Sequence, residues 1–95
     1  THSVVGTAGT AARAVELAVE TAPDAVVMDL RLAAGDGIEA TREITATRPA
    51  TGVVISTVTV DPDTQQRARE AGADEYLTKP YTRADRLTAI EESLA

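Results

Sequence analysis

The chain is 95 residues long, enough for one domain spanning 1–95 and too short for two. Nine Lys and Arg against fifteen Asp and Glu leave a formal net charge of −6, and the only aromatics are two tyrosines. That balance argues against direct nucleic-acid binding, which rewards clustered cations and stacking rings, and the absence of a run of about 18 apolar residues argues against a membrane span.

Cysteine is absent, which removes disulfides and thiolate metal sites and fits a cytoplasmic location. His2 is the lone histidine and reads as an exposed terminal residue, since one imidazole cannot build a zinc site or a triad. Val4-Val5 before Gly6 is a short strand candidate. Gly6-Thr7-Ala8-Gly9 is too short and irregular for a phosphate-cradling loop. From Thr10, a capping residue, a helix is predicted with Ala11, Ala14, Val15, Ala18 and Val19 on its apolar stripe, ending before Pro23.

Ala25 to Met28 is a continuous apolar run that reads as a strand buried on both faces, and it delivers Asp29 at its end. Gly35-Asp36-Gly37 reads as a turn, followed by a helix from Ile38 to about Thr47 that Arg48-Pro49 closes. Val53 to Thr57 is a β-branched strand ending in two hydroxyl residues. Asp61-Pro62-Asp63 opens a third helix, and Gly72 suits its left-handed cap. Asp74 to Thr78 is a strand, Lys79-Pro80 a turn, and Thr82 begins a last helix carrying Ala84, Leu87, Ile90, Glu91 and Leu94. Strand and helix alternating in this way predict a parallel sheet with crossover helices.

In such a sheet the carboxyl ends of the strands share one edge. Asp29, Thr57 and Lys79 each end a predicted strand, so they should meet in one crevice. A carboxylate can accept a phosphoryl group, and the added charge and oxygens then call for a hydroxyl donor and a cation. Singly, each has an ordinary reading: a loop-capping aspartate, a β-forming threonine, a solvated turn lysine. Their coincidence at three strand ends favours the chemistry.

Asp29, Asp36-Gly37, Thr57, Ala71-Gly72-Ala73-Asp74 and Tyr76-Leu77-Thr78-Lys79-Pro80 together resemble the receiver domain of bacterial two-component response regulators. The resemblance implies that Asp29 is the phosphoacceptor for a sensor histidine kinase, Thr57 the switch hydroxyl and Lys79 the phosphate-binding cation. It further implies that Tyr76 is the aromatic that changes rotamer with Thr57, that the Arg31 backbone carbonyl joins Asp29 as a ligand of Mg²⁺, and that the Lys79-Pro80 bond is cis. The fold implied is a flavodoxin-like (CheY-like) three-layer α/β sandwich.

In that family a first strand ending in paired acidic residues, and a first helix, precede the stretch matched here. The expectation is therefore a receiver lacking both, truncated to four strands and four helices. Mg²⁺ belongs to the intact family domain, and without the acidic pair its binding by this chain is not expected, because Asp24, Asp36 and Asp61 sit at the wrong places to substitute. Ala33 replaces a proline common in the family. The family's strand order 2-1-3-4-5 would make the absent strand the central one. Losing about five buried aliphatic residues forfeits roughly 7–15 kcal/mol, as much as an ordinary domain's whole stability. A sheet closed to four strands, with its bare face buried in a homodimer, would offset that loss.

The functional expectation is thus a signalling receiver and not an enzyme, taking a phosphoryl group onto Asp29 and switching a partner surface through Thr57 and Tyr76. By resemblance, the parent chain carries a DNA-binding output domain. The alternative is a phosphorylation-independent pseudo-receiver acting as an interaction or dimerisation module. A small flavodoxin-like ligand binder is disfavoured by the scarcity of aromatics and the lack of a glycine-rich phosphate loop.

Overall fold

The computed structural model describes residues 3–30 and 35–94. His2, Arg31 and Ala33 lie outside them. Strand and helix alternate as the periodicity predicts: β1 (Val5–Ala8), α1 (Ala11–Thr21), β2 (Ala25–Asp29), α2 (Gly35–Thr47), β3 (Gly52–Thr57), α3 (Pro62–Ala71), β4 (Glu75–Thr78) and α4 (Arg83–Ser93).

The helix ends are set by local side chains. Thr10 accepts a hydrogen bond from the Arg13 N–H at the start of α1, and the Asp61 carboxylate accepts from the Asp63 N–H ahead of α3. Each satisfies an amide that the first helical turn leaves without a partner. Thr82 and Asp85 exchange two such bonds and open α4 with a capping box. Gly72 closes α3 at φ 115°, where a side chain would be strained.

The four strands form one parallel sheet in the order β1-β2-β3-β4. β1 and β2 are direct neighbours, with Ala8 opposite Met28, so the sheet closes to four strands with nothing between the two that would flank the family's central strand. Side chains alternate across it. Val26, Met28, Val53 and Ile55 pack under α1, α2 and α3, while Val27 and Val54 meet Ala89 and Ile90 of α4 on the opposite face. Helices on both faces make three layers, the sandwich that the flavodoxin-like reading requires.

Several local expectations change. Gly35 and Gly37 are not a turn: α2 starts at Gly35, and the buried Gly37 presses on Leu30, where a Cβ would come within 2.6 Å of Leu30 Cδ1. Glycine here serves close packing, a use that sequence does not distinguish from turn formation. Val19 is 46% exposed while Leu17 packs against the core in its place, so the apolar stripe of α1 is rotated. Leu87 is 56% exposed and α4 buries Ala89 and Ile90, because α4 lies over β2, β3 and β4 with a narrow contact stripe. Gly6 to Ala8 run in β1, consistent with their rejection as a phosphate loop.

Candidate functional site

The fully buried residues Ala25 to Met28 hold β2 in the sheet, and the strand delivers Asp29 to the carboxyl edge opposite Ser56. Two backbone bonds extend the ladder past the strand ends. The Leu30 N–H donates to the Ser56 carbonyl at 2.8 Å, and the Lys79 N–H donates to the Thr57 carbonyl at 2.8 Å. These bonds set the residues after β2 and β4 on either side of the end of β3.

Lys79 uses that placement to reach across the edge. Its Nζ lies 2.6 Å from Asp29 Oδ1 and donates to the Leu30 carbonyl at 3.1 Å. The side chains remain 28% and 46% exposed respectively. An ion pair so open contributes only about 0–1 kcal/mol to stability. Its geometry therefore says more about chemistry than about holding the fold. A half-exposed carboxylate with an ammonium beside it can receive an anionic group and have the added charge neutralised on arrival. The Lys79-Pro80 peptide is cis, as the resemblance implies.

Thr57 is fully buried at the same edge. Its Oγ1 accepts from the Thr59 N–H at 3.3 Å and lies 3.4 Å from the Thr59 hydroxyl. Tyr76 is turned inward among the residues under α1–α3, and its hydroxyl donates to the Thr59 carbonyl at 3.0 Å. Burial, with the nearby Asp61 charge adding to it, pushes the Tyr76 hydroxyl above its usual value of 10.0, so it stays a protonated donor. Thr59 thus joins Thr57 to Tyr76.

All three strand-end residues fall on one rim, and Asp29 and Lys79 touch. Arg31 lies outside the described residues. Two side chains at the site escaped sequence reasoning. Ser56, fully buried, places Oγ 3.5 Å from Asp29 Oδ1 and 2.5 Å from the Tyr81 hydroxyl. The signal for Ser56 was there in strand alternation, which turns it to the opposite face from Thr57. Tyr81 had none.

A divalent cation is a poor fit to these residues by themselves. Mg²⁺ demands near-octahedral oxygen coordination, and no group of three His, Cys, Asp or Glu that could hold a metal occurs among the described residues. No helix among them is long and apolar enough to cross a membrane.

Known proteins resemble this chain over most of its length. The family described as "Response regulator receiver domain" matches residues 1–91. The transcriptional regulatory protein PdtaR of Mycobacterium tuberculosis is 43% identical over 90 residues, covering 95% of this chain and 43% of that protein. The chemotaxis protein CheY of Halobacterium salinarum is 37% identical over 81 residues, 85% of this chain and 68% of CheY. Among solved structures, a LuxR-family two-component response regulator from Aurantimonas superposes with a TM-score of 0.78 at 42% identity, over 92% of this chain and 62% of that one. The chain spans less than half the length of PdtaR. Receiver domains are signalling modules of two-component systems whose general role is to accept a phosphoryl group, generally with Mg²⁺. This chain belongs to the response regulator receiver domain family.

Proposed function

We propose that residues 1–95 act as one receiver unit in which Asp29 accepts a phosphoryl group from the phosphohistidine of a sensor histidine kinase. An Asp29 carboxylate oxygen attacks phosphorus, the P–N bond breaks, the imidazole nitrogen keeps the electron pair and takes a proton, and an acyl phosphate forms on Asp29. Lys79 neutralises the arriving charge. Thr57 then turns toward the phosphoryl oxygens, and Tyr76 follows through Thr59. The single observation that carries this reading is the 2.6 Å approach of Lys79 Nζ to the half-exposed Asp29 carboxylate at the sheet's carboxyl edge.

Relatives named as transcriptional regulatory proteins support an output domain that regulates transcription in a longer protein, which the family resemblance would make DNA-binding. Over β1 the sheet face beside α4 leaves Val5 and Thr7 exposed, which supports self-association there as a homodimer. Light scattering reads that state.

One observation favours a second reading, a phosphorylation-independent interaction module: the described residues contain no three-residue metal cluster. Incubation with acetyl phosphate and Mg²⁺ followed by intact mass measurement separates the two. A gain of about 80 Da, the mass of one phosphoryl group, that Asp29→Asn abolishes supports the receiver. An unchanged mass supports the module.

A further inference from the structure

The contacts among Thr57, Thr59 and Tyr76 lie on the α1–α3 side of the sheet. A separate line of polar atoms leaves the same edge on the α4 side. Ser56 is in register with Asp29, so both side chains project to that face. Ser56 Oγ stands between two partners, Asp29 Oδ1 at 3.5 Å and the Tyr81 hydroxyl at 2.5 Å.

Serine has one proton to donate. While Asp29 is an anion, Ser56 is drawn to donate to it, and the Tyr81 hydroxyl must then donate to Ser56. The chain of donors then runs from Tyr81 over the short bond to Ser56 and over the long 3.5 Å contact to Asp29, the two linked through the single serine proton. Neutralise or remodel the carboxylate and that order weakens, because Ser56 becomes free to donate to Tyr81. The state of Asp29 thereby sets the sense and strength of the short bond at Tyr81.

Tyr81 is well placed to pass this on. It immediately precedes Thr82, whose side chain caps α4 through the Asp85 N–H at 3.0 Å. With Pro80, Asp85, Thr88 and Glu92, it also lines a groove of about 380 Å³ between β4 and α4. We propose that Ser56 and Tyr81 are positioning residues forming a hydroxyl relay, by which a change of charge at Asp29 reaches the segment that opens α4 and shapes this groove. The biological input rests on Asp29 as phosphoacceptor, whereas the relay itself rests on the two contacts of Ser56. It uses partners separate from those of the Tyr76 hydroxyl, although Tyr76 also lines the groove.

The two tyrosines make the test clean. In protein carrying ¹³C-labelled tyrosine there are two ring spin systems, and Tyr81→Phe identifies them. The signals are compared in the parent, Asp29→Asn, Ser56→Ala and the double variant, and in the parent treated with acetyl phosphate and Mg²⁺ and weighed intact. The relay predicts that Asp29→Asn shifts the Tyr81 ring and that Ser56→Ala abolishes this shift. A Tyr81 signal indifferent to Asp29→Asn, or equally responsive without Ser56, overturns it. If Ser56→Ala does not fold, the Thr82 amide serves: its response to Asp29→Asn must vanish in Tyr81→Phe, and persistence overturns the relay. A mass gain with an unmoved Tyr81 overturns the relay and leaves the phosphoacceptor reading intact. No mass gain alongside a positive variant cycle does the reverse.

Discussion

The Lys79 ammonium is shared between the Asp29 carboxylate at 2.6 Å and the Leu30 carbonyl at 3.1 Å. Two acceptors at the end of one strand thus fix a cation contributed by another. The lysine is held where an incoming anion would need it before any anion arrives, so its reorganisation cost on binding is small.

Lys79→Ala separates chemistry from stability. Because the ion pair is partly exposed, urea unfolding should change by no more than about 1 kcal/mol. Acetyl phosphate labelling should fall roughly 10- to 100-fold, the equivalent of the 1.5–3 kcal/mol of a charge-assisted hydrogen bond. Intact mass against time reads the second, and unchanged labelling would remove Lys79 from the site.

Gly72 leaves no room for a single methyl group. It adopts φ 115°, and an added Cβ would run into the Thr45 side chain on α2. Gly72→Ala should destabilise by about 2 kcal/mol or more, combining left-handed strain of about 1–2 kcal/mol with the clash. Denaturant titration checks the loss. Thr45→Ala in the same chain should recover only the steric part.

Glu75 on β4 supplies a pH dependence. Burial raises its pKa above 4.5, a hydrogen bond and like charge from Glu92 on α4 raise it further, and Arg69 opposes. A carboxyl whose folded pKa lies above its unfolded one contributes stability that is complete below the unfolded value. That stability is lost as pH rises through the raised folded value. Glu75→Gln keeps a hydrogen-bonding side chain without the charge. Its stability relative to the parent should therefore grow from about pH 4.5 upward and level off once Glu75 is ionised. Paired unfolding curves between acid and neutral pH test this; a difference that shrinks with rising pH would contradict it.

Thr82→Ala removes the side-chain half of the α4 capping box. It should cost about 1 kcal/mol and lower hydrogen-exchange protection first in the opening turn of α4. Equal loss of protection across α1 to α3 would argue against a local role.

How much was legible follows from what each residue signals locally. Thr10, Asp61, Gly72 and Thr82 were readable as helix punctuation because their effect is confined to one turn. That Asp29, Thr57 and Lys79 share one edge was readable because parallel strands put their carboxyl ends together whatever the packing. Gly37 and Val19 were misread because their environment is set by packing: Leu30 against Gly37, and the sheet face that takes Leu17 of α1 and leaves Val19 out. Tyr81 was missed for a related reason. Its partner Ser56 lies on β3, and only the β3–β4 register and the path after Pro80 bring them together. The direct pairing of β1 with β2 is the closure to four strands that the absent central strand led us to expect.

Locating the phosphoryl group tests the account most directly. After acetyl phosphate treatment, borohydride reduces an aspartyl acyl phosphate to homoserine, and peptide mass spectrometry then reads the position. The account predicts homoserine at residue 29 and nowhere else, absent from Asp29→Asn and reduced in Lys79→Ala. Label at another residue, such as Ser56, or none in a folded protein would contradict it.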